Sequence, residues 1–188
     1  RIILQLWHMG RLVHPDFLGG AQPVSASATT APGYAHTAEG KKDYTEARAL
    51  DIAEIPRIVA DYVHAAKNAI EAGFDGVQIH SANGYLIDQF LRDNTNLRTD
   101  DYGGSVENRI RLLREVTQAV VDAVGSERTS VRLSPNGETQ GADDSNPVAL
   151  FTAAAAALQD IGIAFLELRE IKPYGNFGQT EVPRVSPE

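Results

Sequence analysis

The sequence predicts an α/β fold, a parallel barrel of which about four consecutive strands with their helices are present. Three observations predict it. Apolar runs of strand length alternate with helices of three-and-four periodicity, in the order strand, helix, strand, helix, strand, helix, strand. Connections into the strands are short, whereas those leaving them are long and polar, as expected where a site is built on the C-terminal ends of barrel strands. An open doubly wound sheet usually signals itself with a G-x-G-x-x-G turn after its first strand, and this chain has none.

Each element has its own warrant. Arg1 to His8, with Ile2, Ile3, Leu4 and Leu6, reads as a buried strand in which Gln5 and Trp7 share one face, although periodicity alone leaves a helix open. Met9 to Leu50 is rich in Gly, Pro, Ser, Ala and Thr and holds at most a hairpin. A loop this long is either a lid or substrate-facing segment, or a solvated insertion. Asp51 to Ala72 is a helix through Ile55, Ile58, Val59, Tyr62, Ala66, Ala69 and Ile70, with Asp51 as cap, Pro56 in the first turn and Gly73 as stop. Asp75 to Asn83 is a strand ending in a polar turn, with Val77 and Ile79 on one face and Gly76, Gln78 and His80 on the other. Leu86 to Leu91 is a short helical turn, and Arg92 to Gly104 is polar and turn-rich. Ser105 caps one helix with the stripe Ile110, Leu113, Val116, Val120 and Val124, closed by Gly125. Thr129 to Pro135 is the third strand. Asn146 and Pro147 open an Ala-rich helix that runs to Gly162, and Ala164 to Arg169 is the fourth strand.

Composition narrows the function classes. At 188 residues and 43% hydrophobic, the chain can bury one sizeable core and reads as a single domain over residues 1–188. Its 17 Lys and Arg are scattered and outnumbered by 25 Asp and Glu, so nucleic acid is not an expected partner. Without cysteine there is no thiolate catalysis or disulfide, and a cytoplasmic location is the expectation. No run is long and apolar enough for a membrane span, no signal peptide is visible, and nothing fixes an oligomeric state. The chain starts at Arg1, directly in a strand, and stops at Glu188 soon after a loop with Pro173, Gly175 and Gly178, which reads as an internal piece of a longer protein.

Near each strand end one face is polar: Gln5 beside Trp7, Gln78 beside His80, Arg132 beside Ser134, Glu167 beside Arg169. If Val77, Ile79, Val131 and Leu133 face the helices, these groups converge on the barrel mouth, where a planar polar ligand would satisfy them. Plain readings compete. His80 could be a satisfied structural group, Arg132 could pair with an acid across the barrel, and Trp7 could be core. Asn83 before Gly84 could be a left-handed turn residue, and Tyr102-Gly103-Gly104 only a turn. His8 and His80 lack a third ligand at metal-site spacing, so no metal is expected.

Six stretches closely resemble the Old Yellow Enzyme family of flavin-dependent ene-reductases. They are Gln5-Leu6-Trp7-His8-Met9-Gly10-Arg11, Pro23-Val24-Ser25-Ala26-Ser27-Ala28, Ala72-Gly73-Phe74-Asp75-Gly76-Val77, His80-Ser81-Ala82-Asn83-Gly84-Tyr85-Leu86, the block from Asn96 through Tyr102-Gly103-Gly104-Ser105-Val106-Glu107-Asn108-Arg109, and Val131-Arg132-Leu133-Ser134-Pro135. They cover most of the chain in family order. The Trp7 motif matches the subclass with Gln-Leu-Trp-His, apart from the thermophilic-like one.

The resemblance implies a (β/α)8 TIM barrel with noncovalent FMN at its mouth, reduced by NADPH or NADH and reoxidised by an activated alkene, or by related nitro compounds. It implies flavin contacts at Gln5, Arg132 and His80, with Gln5 on the pyrimidine edge and Arg132 near N1 and the C2 carbonyl. His80 and Asn83 would donate to the substrate oxygen, Tyr85 would supply the proton to the alpha carbon, and Trp7 would shape the substrate pocket. Asn83 stands where many relatives carry His. The family's first strands would precede Arg1 and its phosphate-binding loops would follow Glu188, so residues 1–188 alone are expected to hold at most half a barrel, to bind FMN poorly and to be inactive. Two other functions compete: a flavin-free barrel lyase or isomerase with His80 and Tyr85 as acid and base, and a noncatalytic flavin-binding module.

Overall fold

Strands with apolar residues at every second position have assembled into one parallel sheet. The computed structural model describes residues 1–136, 138–170 and 185; the loop at Pro173, Gly175 and Gly178 lies outside them. In chain order the strands are β1 (Ile3–Leu6), β2 (Val24–Ser25), β3 (Tyr34–Thr37), β4 (Gly40–Asp43), β5 (Arg48–Ala49), β6 (Gly76–His80), β7 (Thr129–Leu133) and β8 (Phe165–Leu168). The helices are α1 (Ile55–Glu71), α2 (Leu86–Leu91), α3 (Val106–Arg109), α4 (Arg111–Val124) and α5 (Pro147–Ile161).

The main sheet has the order β1-β6-β7-β8, all parallel, so each new strand joins the same edge as the last. That unreversed winding is the barrel topology, in contrast to the mid-sheet reversal of a doubly wound fold. Helix α1 packs on α4 and α4 on α5, covering the sheet with one layer. Val77, Ile79, Val131 and Leu133 are fully buried in the core with Ile58, Tyr62, Leu113, Val116, Leu150 and Leu158 of the helices. The apolar faces therefore point toward the helices as the alternation requires, and the polar positions are left to the inner face.

Ser105 and Asn146 cap where the sequence places them, whereas Asp51 opens a 3-10 turn, Ile52–Glu54, and α1 starts only at Ile55. The Ser105 hydroxyl accepts from Asn108 N–H at 3.2 Å and the Asn146 side chain from Ala149 N–H at 3.2 Å. Ahead of α1, the Glu54 carboxylate accepts from Asp51 N–H at 2.9 Å and from both ends of the Arg48 guanidinium, which hold its pKa down to about 2.

Two expectations need correction. The excursion after β1 holds more than a hairpin: besides the antiparallel β3–β4 pair it has two short 3-10 turns, Gly10–Leu12 and Pro15–Leu18, and the parallel β2–β5 pair. Single-strand periodicity cannot show two-residue pairings between distant segments. The helix expected to run unbroken from Ser105 is split at Ile110, whose ψ of -6° departs from helical geometry, into α3 and α4.

The polar block between α2 and α4 ties the loops together. Arg98 donates to the carbonyls of Ala26 at 3.0 Å and Leu50 at 2.6 Å while its other nitrogens grip Asp100. Asn96 Nδ2 donates to the carbonyls of Phe90 at 2.6 Å and Tyr102 at 2.7 Å, and Arg109 is buried against Asp144 and the Leu91 carbonyl. The Tyr-Gly-Gly-Ser-Val-Glu-Asn-Arg motif is thus a structural clasp that includes a turn. Gly103 belongs to it sterically, because a Cβ there would lie 2.3 Å from the Arg98 carbonyl oxygen. Gly103→Ala is expected to destabilise the protein by about 1–3 kcal/mol, as overpacking does; an unchanged urea midpoint would contradict this account of the clasp.

Candidate active site

The site forms where β6 ends. Residues of the four strands meet on the inner face at two successive register levels: Gln5 pairs in register with Gln78 at the first, and His80 with Arg132, and Arg132 with Glu167, at the second. Their side chains form a continuous chain of contacts. Gln5 Nε2 donates to Gln78 Oε1 at 2.7 Å, Gln78 Nε2 donates to Glu167 Oε2 at 2.7 Å, and Glu167 Oε1 meets Arg132 Nη2 at 2.7 Å. Arg132 does pair with an acid, one from the adjacent strand, and its Nε is nonetheless buried with no hydrogen-bond partner among the described residues.

His80 is buried, and Ala82 N–H donates to its Nδ1 at 3.2 Å. That bond puts the proton of the neutral ring on Nε2. Burial first, and then the Arg132 charge, lower the His80 pKa to about 4, against the opposing pull of Asp88 and Glu167. Asn83 Nδ2 lies 3.5 Å from His80 Nε2. With both nitrogens carrying hydrogen neither can accept from the other, and the spacing suits two donors that share one acceptor.

The turn that carries Asn83 is held from below. Asn83 adopts the left-handed conformation, φ 58°, as a turn residue there should, and its N–H donates to Ser134 Oγ at 2.8 Å. Gly84 follows at φ 79°, where a Cβ would also come within 2.7 Å of the Thr139 carbonyl oxygen. Its N–H donates to Asp88 Oδ2 at 2.8 Å; Asp88 Oδ1 in turn accepts from Arg92 Nε at 3.0 Å, and Arg92 also donates to the Ser134 carbonyl. Gln89 ties the turn to the excursion, donating to the Gly84 carbonyl at 2.7 Å and accepting from Arg11 N–H at 3.1 Å and Ser25 Oγ at 2.8 Å.

Three aromatic rings line the opening. Trp7 is 51% exposed, so it is not core, and it stacks on Tyr85 with centroids 4.8 Å apart and planes at 19°. His80 meets Tyr85 edge-on at 4.9 Å and Trp7 at 5.7 Å. Such contacts orient a phenol ring and contribute about 0.5–1.5 kcal/mol each. Burial raises the pKa of Tyr44, just after β4, and Tyr85 adds to the rise.

The structure therefore brings together Gln5, Trp7, His80, Asn83, Tyr85 and Arg132. Ser134, read as facing inward beside Arg132, does support the turn, whereas Asp88, Gln89 and Arg92 were missed as contributors. Two of them had a visible signal: Asp88 and Gln89 are polar residues inside an otherwise apolar helical turn, Leu86 to Leu91. Among the described residues no three His, Asp or Glu side chains group as a metal site, and no helix is long and apolar enough to cross a membrane.

Comparison with known proteins gives consistent matches. The model of the NADH:flavin oxidoreductase / NADH oxidase family matches residues 1–182. The chain is 46% identical over 188 residues to 12-oxophytodienoate reductase 7 of Oryza sativa subsp. japonica, covering 94% of this chain and 47% of that protein. It superposes on the Old Yellow Enzyme homologue of Zymomonas mobilis with a TM-score of 0.93 at 58% identity, covering 97% of this chain and 51% of the other. On morphinone reductase, solved in complex with tetrahydroNAD, the TM-score is 0.83 at 44% identity, covering 89% and 48%. The chain thus spans about half the length of these relatives.

The pKa of His80 has a measurable consequence. Because the folded value lies below the ordinary 6.5, the unfolded chain takes up the proton first, so this residue withdraws stability as pH falls from about 6.5 toward about 4. NMR of the imidazole should show His80 neutral, with Nε2 protonated, from pH 8 to about 5. A transition centred near 6.5 would contradict the burial and the tautomer.

Proposed function

Since the chain belongs to the NADH:flavin oxidoreductase / NADH oxidase family, we propose that the whole protein is an FMN-dependent ene-reductase of the Old Yellow Enzyme type. It takes electrons from NADPH or NADH and passes them to electron-poor alkenes such as enones, with nitro compounds as a related class. The carrying observation is the convergence of His80 Nε2 and Asn83 Nδ2, 3.5 Å apart, beside the Trp7–Tyr85 stack. The relatives support both substrate and reductant: one is named for an oxo-dienoate, and morphinone reductase was solved with a nicotinamide analogue. The flavin-free lyase or isomerase reading has no comparable support. A chain without cysteine, using soluble nicotinamide, is read as cytoplasmic.

The inner face fits FMN. Arg132 Nε is a buried donor in need of an acceptor, and Gln5, which donates its NH₂ to Gln78, keeps its carbonyl oxygen for a ligand N–H. Gln5, Arg132 and His80 would hold the ring, which when bound supplies the hydride to the alkene. His80 and Asn83 donate to the carbonyl oxygen of the substrate, and both bonds strengthen as negative charge develops there. Loss of one such donor costs about 10²- to 10³-fold in rate. Tyr85 presents a phenol hydroxyl beside the pair and delivers its proton to the alpha carbon. Trp7 sets the ring plane of Tyr85 and walls the substrate pocket.

Anaerobic NADPH should bleach the flavin of the whole protein and 2-cyclohexenone should restore it. Tyr85→Phe should slow the second half-reaction by about 10²- to 10⁴-fold and leave the first unchanged; equal loss in both would remove Tyr85 from the proton step. Residues 1–188 alone expose Ile3 on β1 and Phe165 and Leu168 on β8, the two outer strands of the sheet. They should bind FMN poorly, and isolation of this stretch with stoichiometric yellow flavin would show otherwise.

A further inference from the structure

The half-buried link between Gln5 and Arg132 has no part in the roles above. Its middle members are Gln78, 7% exposed on β6, and Glu167 on β8. A carboxylate accepts hydrogen bonds and cannot donate them, so Glu167 fixes the direction of the whole relay. Gln78 must turn its NH₂ to Glu167, as it does at 2.7 Å, which leaves its carbonyl oxygen facing Gln5. Gln5 must then turn its NH₂ to Gln78, also at 2.7 Å, and keeps its own carbonyl oxygen for a ligand. With an uncharged partner at position 167, both amides could flip together at little cost. The other oxygen of the same carboxylate contacts Arg132 Nη2 at 2.7 Å. One side chain thus orients the neutral end of the relay and offsets the charge at its cationic end.

We propose that Glu167, acting through Gln78 and Arg132, is a positioning residue that selects the imide-binding orientation of Gln5 and lowers the reduction potential of the bound flavin. The inference rests on the FMN reading above. A guanidinium beside the ring favours its reduced, negatively charged form, and a carboxylate in contact with that guanidinium weakens the preference. The two limbs separate cleanly. The charge limb runs from Glu167 to Arg132 alone; the amide limb runs through Gln78 to Gln5.

The test uses the whole flavoprotein, with dye-coupled redox titration for the potential and flavin fluorescence for FMN affinity. Glu167→Gln should raise the midpoint potential, with about 30 mV for each tenfold gain of reduced over oxidised binding. Glu167→Asp, which keeps the charge, should stay near the wild-type potential. Gln78→Leu should weaken oxidised FMN binding about tenfold or more and leave the potential in place, because the Arg132 pair is intact. A flavin-loaded Glu167→Gln protein with unchanged or lowered potential overturns the charge limb, and unchanged FMN affinity in Gln78→Leu overturns the amide limb. If the wild type reduces enones while both variants behave like it, only this inference falls. If the wild type binds no flavin, the ene-reductase reading falls and takes this inference with it.

Discussion

The Asp88–Arg92 ion pair sits under the turn that follows β6, and the candidate site depends on it. Both side chains are almost wholly buried, and each reaches a different wall of the turn. Asp88 fixes the Gly84 N–H and Arg92 fixes the carbonyl of Ser134, whose hydroxyl accepts the Asn83 N–H. A buried pair of this kind adds little net stability, but losing one partner leaves a charge stranded at a cost of about 3–5 kcal/mol. Its contribution is geometric: Asn83 is held in a left-handed conformation that positions its amide beside His80, and Tyr85 is carried onto Trp7. The donors are thereby ordered before any substrate arrives.

Strand pleating explains why the rest of the site collects around this turn. The two-residue period that buries Val77, Ile79, Val131 and Leu133 against the helices leaves Gln78, His80, Arg132 and Glu167 on the opposite face. Parallel pairing in one register then sets Gln5 beside Gln78 and His80 beside Arg132. Burial and the positive charge of Arg132 together keep His80 neutral, a state in which it donates through Nε2 without offering a mobile proton of its own. In the proposed function this sets the division of labour: His80 and Asn83 would hold an oxygen, and the proton would be left to Tyr85.

The alternating strands, the α1 stripe from Ile55 to Ile70 and the caps at Ser105 and Asn146 could all be read in the sequence, because each depends on local periodicity or on contacts within a few residues. The inward convergence of Gln5, His80 and Arg132 was legible for the same reason. The hub at Gln89 was not, since its partners Arg11, Ser25 and Gly84 are far apart in the chain and nothing local marks a glutamine as a junction. Arg132 illustrates the limit from the other side. Spacing could not say whether it meets an acid or a ligand, and the structure shows Glu167 on one nitrogen with Nε still wanting a partner. The Tyr-Gly-Gly block was the easiest stretch to recognise by resemblance, yet its geometry is that of a loop clasp removed from the His80–Asn83 pair.

The central claim is that His80 and Asn83 form a two-donor cradle for a single oxygen over the flavin. Titrating the oxidised whole protein with a phenol and following the flavin absorbance tests it most directly. The account predicts that wild type binds the phenolate oxygen and that the His80→Ala, Asn83→Ala double variant, held saturated with FMN because His80 also contacts the ring, loses that affinity. Equal phenol affinity in the two proteins would contradict it.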